Sequence, residues 1–306
     1  MNESDFLICS FYRFFKLKNK EQVKKKLDHF FENKKVKGTI LLANEGLNGS
    51  ISAKSQDLEN IINFIKITVN IRKLELKINH TKFLPFNRIK VRLKKEIVSL
   101  GIKDLKINTY KHKLIGPKIW NELINEKETK VIDVRNNFEI EIGKFKNSIN
   151  PKTRSFREFP MMFKKMKLDK NTKIAMYCTG GIRCEKASSF LMSKGYKNIF
   201  QLEGGIISYL KNVRENKIKS YWDGDCFVFD ERVTINKNLI RGNYSQCFGC
   251  RRPITKKDML SNKYEKGVTC PYCFYERTAM QKRKSKSRQD QIEDAIKNKK
   301  RNVFIK

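Results

Sequence analysis

No apolar run in this chain approaches the roughly 20 residues that a membrane-spanning helix needs, so a helical membrane protein is not expected. Histidine is scarce. His29, His80 and His112 are the only three, and none has a partner at ligand or triad spacing. A two-histidine, one-carboxylate iron site is therefore not expected, and all three read as structural or surface residues. No stretch offers a flavin, haem or nicotinamide site. Acid is also short: 32 Asp and Glu stand against 67 Lys and Arg, a net charge of +35. That imbalance favours a polyanionic partner such as nucleic acid. Lys, Asn and Ile are all abundant, however, as an AT-rich coding sequence would produce by drift, so part of the charge is open to that origin. The opening M-N-E-S-D-F-L-I-C lacks a signal-peptide layout, which leads to an expected cytoplasmic location. In that compartment the eight cysteines are not expected to form disulfides.

What is present suffices for several folded domains. The chain has 306 residues, 39% of them hydrophobic and 11% aromatic, enough for two or three cores. Residues 1–98 read as an α+β unit. Phe6 to Phe15 is a β-prone run, and Lys20 to Glu32 carries Val23, Leu27, Phe30 and Phe31 at helical spacing. A strand over Gly38 to Ala43, a turn over Asn44 to Gly49 and a returning strand over Ser50 to Ala53 follow. A second helix spans Gln56 to Ile67, and Lys73 to Ile78 and Ile89 to Leu93 alternate like strands. The order βαββαβ predicts a ferredoxin-like, acylphosphatase-like fold, which hosts many functions. Its glycine-rich turn is either a plain hairpin or a surface that meets the substrate or the cysteine loop described next. Arg88, Lys90 and Arg92 fall on one face of the last strand, near Phe83 and Phe86, a pattern that suits phosphate contact and base stacking or a solvated face. Residues 99–115 read as a polar linker.

The central stretch is Ile174 to Gly195. Ile174 to Tyr177 reads as a buried strand, and Ala187, Phe190 and Leu191 follow at helical spacing until Gly195 stops the helix. Between them lie Cys178, Thr179, Gly180, Gly181, Ile182 and Arg183. Two glycines let the backbone curl with its N–H groups inward, making an anion cradle at a helix N-terminus. At the mouth of that cradle, with Arg183 near, Cys178 is expected as a thiolate, the nucleophilic form. A buried strand-end thiol is the alternative for such a cysteine taken alone. Cys184 is either a thiol that resolves an oxidised Cys178 or a packed helix residue.

The neighbouring segments decide between these. Val131 to Glu139 gives a strand with D-V-R and a Glu four residues on, and Ile199 to Ile206 gives a strand ending in E-G-G-I. Together with the C-x5-C loop this order resembles a rhodanese-type domain over residues 116–219, an α/β unit with a parallel sheet. The resemblance implies that Cys178 takes a persulfide and that Asp133 and Arg135 support the site. In the same domain Arg154 and Arg157 are open to phosphate contact or to a solvated loop. Farther on, Cys247, Cys250, Cys270 and Cys273 form C-x2-C-x19-C-x2-C. That spacing points to a closed four-sulfur zinc site, structural because no position stays open for substrate. It places a small zinc-ribbon-like module over 220–280, followed by a basic tail over 281–306 expected as a frayed helix or disordered arm.

Taken along its length to about residue 280, the chain resembles the rhodanese-domain tRNA uridine(34) hydroxylases. The motifs that carry the likeness are A-N-E-G-L-N-G-S, M-Y-C-T-G-G-I-R-C-E-K-A, G-D-C-F-V-F-D-E-R-V and the four-cysteine set. The resemblance implies oxygen-dependent hydroxylation of the wobble uridine in the tRNA anticodon loop to 5-hydroxyuridine, with molecular oxygen as substrate. Cys178 carries over as the active-site cysteine. In that reading Arg183 stabilises developing charge, Thr179, Gly180, Gly181, Ile182 and Cys184 support the loop, and the sulfur needs a positively charged approach wide enough for a nucleotide. Two rival expectations are a sulfurtransferase working through a Cys178 persulfide and a non-catalytic RNA-binding protein.

Overall fold

The structure is a computed structural model that describes residues 6–107 and 112–298. The first residues of the chain, part of the expected linker and the end of the basic tail lie outside the described residues. Two compact units are present. One comprises residues 1–226 with 237–239, the other 227–236 with 240–306. Among the described residues no helix is long and apolar enough to cross a membrane.

In the first unit β1 (Phe6–Phe14), α1 (Lys20–Phe31), β2 (Lys37–Ala43), β3 (Gly46–Lys54), α2 (Ser55–Thr68), β4 (Glu75–Thr81) and β5 (Ile89–Leu93) follow in order. They build a five-stranded sheet, β4-β1-β3-β2-β5. Val23, Leu27 and Phe31 line one side of α1, and Leu58, Ile61, Ile62 and Ile65 one side of α2. Both stripes pack on Cys9, Phe11, Ile40, Ile51 and Val91 of the sheet, as period-3.6 and period-2 patterns require. The expected ferredoxin-like fold is therefore present, extended at one edge by β5, which runs parallel to β2.

The glycine-rich turn is shorter than expected. Ala43 pairs with Gly46, so only Asn44 and Glu45 turn the chain, and Gly46 to Gly49 belong to β3. The reason is close packing between strands. A Cβ on Gly46, at φ +136°, would stand 2.0 Å from the Arg13 carbonyl oxygen, and one on Gly49 would stand 2.6 Å from the Phe11 ring.

The sequence-expected linker also carries structure. Lys113–Ile115 forms β6, and Leu100 is buried in the following core. Then come α3 (Pro117–Leu123), β7 (Lys130–Asp133), α4 (Asn137–Ile140), β8 (Gly143–Phe145), α5 (Phe159–Lys165), β9 (Ile174–Tyr177), α6 (Ile182–Ser193), β10 (Ile199–Leu202), α7 (Gly205–Glu215) and β11 (Trp222–Gly224). Strands β6-β10-β9-β7 form one parallel sheet. Parallel strands end on the same edge, so the loops after β7, β9 and β10 converge, where α/β folds place their sites. β11 pairs with β8, so the chain stays in this unit through Cys226.

The second unit holds β13 (Thr234–Ile235), whose neighbour in sequence is β12 (Cys226–Phe227), then the hairpin of β14 (Ser245–Gln246) with β15 (Pro253–Ile254), α8 (Lys256–Met259) and α9 (Ala279–Lys297). The region expected to fray or stay disordered is a helix of 19 residues through Lys297. A capping box of Thr278 and Gln281 starts it. Polar anchors hold it: Arg277 donates to the Ser285 hydroxyl at 2.6 Å, and Arg288 to the carbonyls of Phe248 and Gly267 at 3.2 and 3.0 Å.

Candidate active site

Four buried residues of β9 end at Cys178, and α6 starts four positions later. Gly181 takes the turn at φ +96°, a conformation that L side chains rarely adopt. Its N–H donates to the Cys178 sulfur at 3.1 Å. Burial by itself pushes the Cys178 thiol up. The hydrogen bond from the Cys184 thiol, the charge of Arg183 and the N–H groups of Cys184 and Gly181 outweigh it, and the pKa falls to about 5. Cys184 gives its proton toward that sulfur, and burial pushes its own thiol well up. The E-G-G-I segment closes the loop from the side. Ile206 and Ile207 at the start of α7 donate to the carbonyls of Cys178 and Thr179 at 3.0 and 3.2 Å. A Cβ on Gly205 would stand 2.4 Å from the Cys178 carbonyl oxygen.

Below the loop lies an ion network. Asp133 at the end of β7 takes hydrogen bonds from Arg135 Nε and Nη2 at 2.9 and 2.6 Å. Arg135 also donates to the carbonyls of Glu139 and Gly143 and lies against the rings of Tyr177 and Trp222. Both residues are wholly buried, so they brace the loops from beneath. Arg183 is held by Glu139 through two bonds of 2.7 Å. Its guanidinium faces that carboxylate rather than open space and acts on Cys178 as a fixed charge. Burial pushes the Glu139 carboxyl up, but the Arg183 charge and hydrogen bonds lower it overall. Thr179 bridges this pair with its hydroxyl near both. Gly180 has no neighbour within 4 Å of a built Cβ, and Ile182 packs on Tyr12, Phe14, Ala43 and Ile97.

The structure corrects the open-mouthed cradle expected for Cys178, which is 1% exposed. The N-terminal sheet covers the loop. The Tyr12 hydroxyl stands 3.0 Å from a Cβ built on Gly181 and donates to Glu185 at 2.6 Å. Lys77 of β4 lies with its Cε 3.6 Å from a Cβ built on Gly204. One turn along α6 the buried Lys186 ammonium binds Glu45 at 2.9 Å, Glu96 and the Val98 carbonyl at 2.8 Å. Tyr12, Lys77, Glu45, Glu96, Glu139 and Lys186 were missed as site residues. Glu45 had a signal, because its turn was read as a surface able to meet the cysteine loop; it meets the helix after that loop.

The basic candidates fall apart in space. Lys90 and Arg92 alternate with the buried Val91 along β5, Arg88 lies in the bend just before that strand, and Arg154 and Arg157 are exposed at the short helical turn of Phe156–Glu158. In the second unit the sulfurs of Cys247, Cys250, Cys270 and Cys273 lie within 4.8 Å of one another. The Cys247–Cys273 and Cys250–Cys270 separations are 4.0 and 3.8 Å. A tetrahedron with metal–sulfur bonds of about 2.3 Å has edges of about 3.8 Å, so this cluster could hold one metal ion. Cys9 and Cys226 are single buried thiols, each pushed up to about 12 by burial.

Both parts of the first unit are similar to known domains. Residues 6–97 match the UPF0176 acylphosphatase like domain and residues 117–212 the rhodanese-like domain. A tRNA uridine(34) hydroxylase of Pelagibacter ubique is 46% identical over 302 residues, 98% of this chain and 99% of that protein. One of Agrobacterium fabrum is 42% identical over 290 residues, 94% and 92% of the two chains. Among solved structures, a rhodanese-related protein of Thermoplasma volcanium is 33% identical with a TM-score of 0.27, covering 33% of this chain and 93% of its own.

Proposed function

We propose that Cys178 is the reacting group of a tRNA-modifying enzyme, because the chain belongs to the tRNA uridine(34) hydroxylase family. The enzyme hydroxylates the wobble uridine of tRNA, and we assign the finer chemistry to the cysteine loop. The observation that supports this assignment is the Cys178 sulfur taking the Gly181 N–H at 3.1 Å at the N-terminus of α6, where these donors and Arg183 favour the thiolate. A thiolate adds to C6 of uracil, and the C5–C6 π pair moves to C5 as an enolate. The enolate adds molecular oxygen at C5, and the resulting peroxide anion takes a proton from solvent to become a C5 hydroperoxide. Two electrons and two protons from a thiol reductant cleave the O–O bond to a C5 hydroxyl and water. Loss of the C5 proton then expels the thiolate, restores the double bond and leaves 5-hydroxyuridine. The low thiol pKa helps both steps, since the same sulfur attacks and leaves.

A base reaches this sulfur only when the N-terminal cover parts from the loop, and the target uridine must leave its stack. Arg88, Lys90, Arg92, Arg154 and Arg157 serve as phosphate contacts in this reading. The four cysteines of the second unit hold one structural Zn²⁺, whose closed shell orders the module and takes no part in the reaction. The eight cysteines form no disulfide, which suits the reducing cytoplasm where the substrate is found.

The rhodanese-like match supports a second reading, in which Cys178 carries a persulfide and transfers sulfur. Mass spectrometry of tRNA nucleosides separates the two. A strain carrying Cys178→Ala in place of the wild-type gene is expected to lose 5-hydroxyuridine while keeping its thiolated nucleosides. Loss of a thio group instead favours the second reading, and unchanged 5-hydroxyuridine removes the first.

A further inference from the structure

The loop around Cys178 has a second wall, and that wall comes from another domain. β4 is an edge strand of the N-terminal sheet, yet Lys77 on it is half-buried rather than free in solvent. Its stem runs beside Gly204, and its ammonium is 4.9 Å from the centre of the Tyr12 ring. Among the described residues no oxygen accepts a hydrogen bond from that ammonium. Drawing a cation even partly out of water without such a partner is costly, so an ammonium held at this place points to a charge it serves. The acidic groups whose charges act on it are the Cys178 sulfur, Glu185 of α6, Glu75 of β4 and Cys9 of β1. Tyr12 already occupies Glu185 with its hydroxyl, and Cys9 is held as a neutral thiol.

We propose that the site is shared between the two domains, with Lys77 as a positioning residue whose ammonium holds the Cys178 sulfur in its ionised form while the N-terminal sheet covers the loop. Tyr12 fixes that ammonium with its ring and fixes Glu185 with its hydroxyl. On the other side the sulfur faces Arg183, itself neutralised by Glu139, and the Cys184 thiol. Lys77, held against Gly204 and the Tyr12 ring, is therefore the cation of this cover that no carboxylate hydrogen-bonds. Burial lowers the Lys77 pKa, and the Cys178 and Glu185 charges oppose that shift.

This inference rests on Cys178 being the reacting group, but its test does not. The ultraviolet absorbance of the thiolate, wild type minus Cys178→Ser, is followed against pH in otherwise identical full-length chains. The same difference is taken in Lys77→Met, which keeps the apolar stem, in Lys77→Gln and in Lys77→Arg. Loss of a unit charge close to a buried sulfur raises the midpoint by roughly one unit. That is about tenfold less thiolate at a given pH below it. Lys77→Arg is expected to restore the wild-type midpoint. At limiting tRNA, where the rate reports the free, covered enzyme, the neutral variants are expected to lower kcat/KM about fivefold near the wild-type midpoint. A midpoint that stays in place in either folded neutral variant overturns the proposal, and a raised KM with a fixed midpoint marks Lys77 as an RNA contact instead. If Cys178→Ser still forms 5-hydroxyuridine, the reaction assignment fails while a shifted midpoint keeps the electrostatic pairing.

Discussion

At the scale of single residues the chain contains one chemical experiment repeated in three settings. Cys9, Cys178 and Cys226 are all buried. Burial pushes the first and last up to about 12, but Cys178 goes to about 5. The difference is the set of donors aimed at the sulfur, since burial alone acts the same way on all three. A prediction follows with a definite sign. Because the folded pKa is depressed, the thiolate dominates above about 5 and is lost as pH falls through that value. Alkylation of Cys178 by a small haloacetamide should therefore be nearly flat from neutral pH down to about 6, then drop about tenfold per unit below the midpoint. Peptide mass spectrometry reads the site directly. A rate that instead rises through pH 8 to 9 would show an ordinary thiol. The sequence displayed Cys178, the two glycines and Arg183, because the cradle is local. It did not display that Arg183 is tied to Glu139, since a Glu in a helical first turn reads equally as a capping residue, and Glu139 is both.

At the scale of elements α6 joins the site to its cover. Its inner side, Cys184, Ala187 and Leu191, fills the rhodanese core. Ile182, Glu185 and Lys186 instead meet the N-terminal domain. The apolar spacing of Ala187, Phe190 and Leu191 made the helix legible, but a polar contact surface has no period to read. Tyr12 and Lys77 were equally silent: alternation along β1 and β4 says which side of a strand is buried, not which domain buries it. For the C-terminal segment the sequence left helix and disordered arm both open for a related reason: side chains reaching carbonyls anchor α9 and an apolar stripe does not. The α6 contact makes a testable hinge. In Lys186→Met the stem still fills its place, but Glu45 and Glu96, each partly exposed, lose their shared cation. Weakening the cover by about 1 kcal/mol raises the open population roughly fivefold. Cys178 alkylation at pH 7 should speed by that factor while its pH midpoint stays put. Unchanged speed would mean that Lys186 does not hold the cover shut.

At the scale of the whole molecule the dominant quantity is the net charge of +35. A charge of that size attracts any polyanion, so affinity for tRNA alone cannot show where the RNA lies. Salt dependence can. Each phosphate neutralised by a Lys or Arg releases counterions, and the slope of log K against log salt is about 0.7 to 0.9 per contact. Residues that merely add to the general field change affinity at low salt but leave the slope almost untouched. Lys90 and Arg92 lie on an edge strand anchored from behind by the buried Val91, and Arg88 directly precedes it, so removing their charges should leave the sheet folded. If they meet three phosphates, Arg88→Ala, Lys90→Ala and Arg92→Ala together should reduce the slope by about two to three. Hydroxylation at saturating tRNA should stay near the wild-type rate, because none of the three touches the cysteine loop in the closed arrangement. A parallel triple change in the solvated tract Lys24→Ala, Lys25→Ala and Lys26→Ala removes the same charge from α1 and serves as the control. An equal loss of slope in both triples would reduce the β5 side to background field, whereas a loss confined to the β5 triple places the phosphate backbone along that strand.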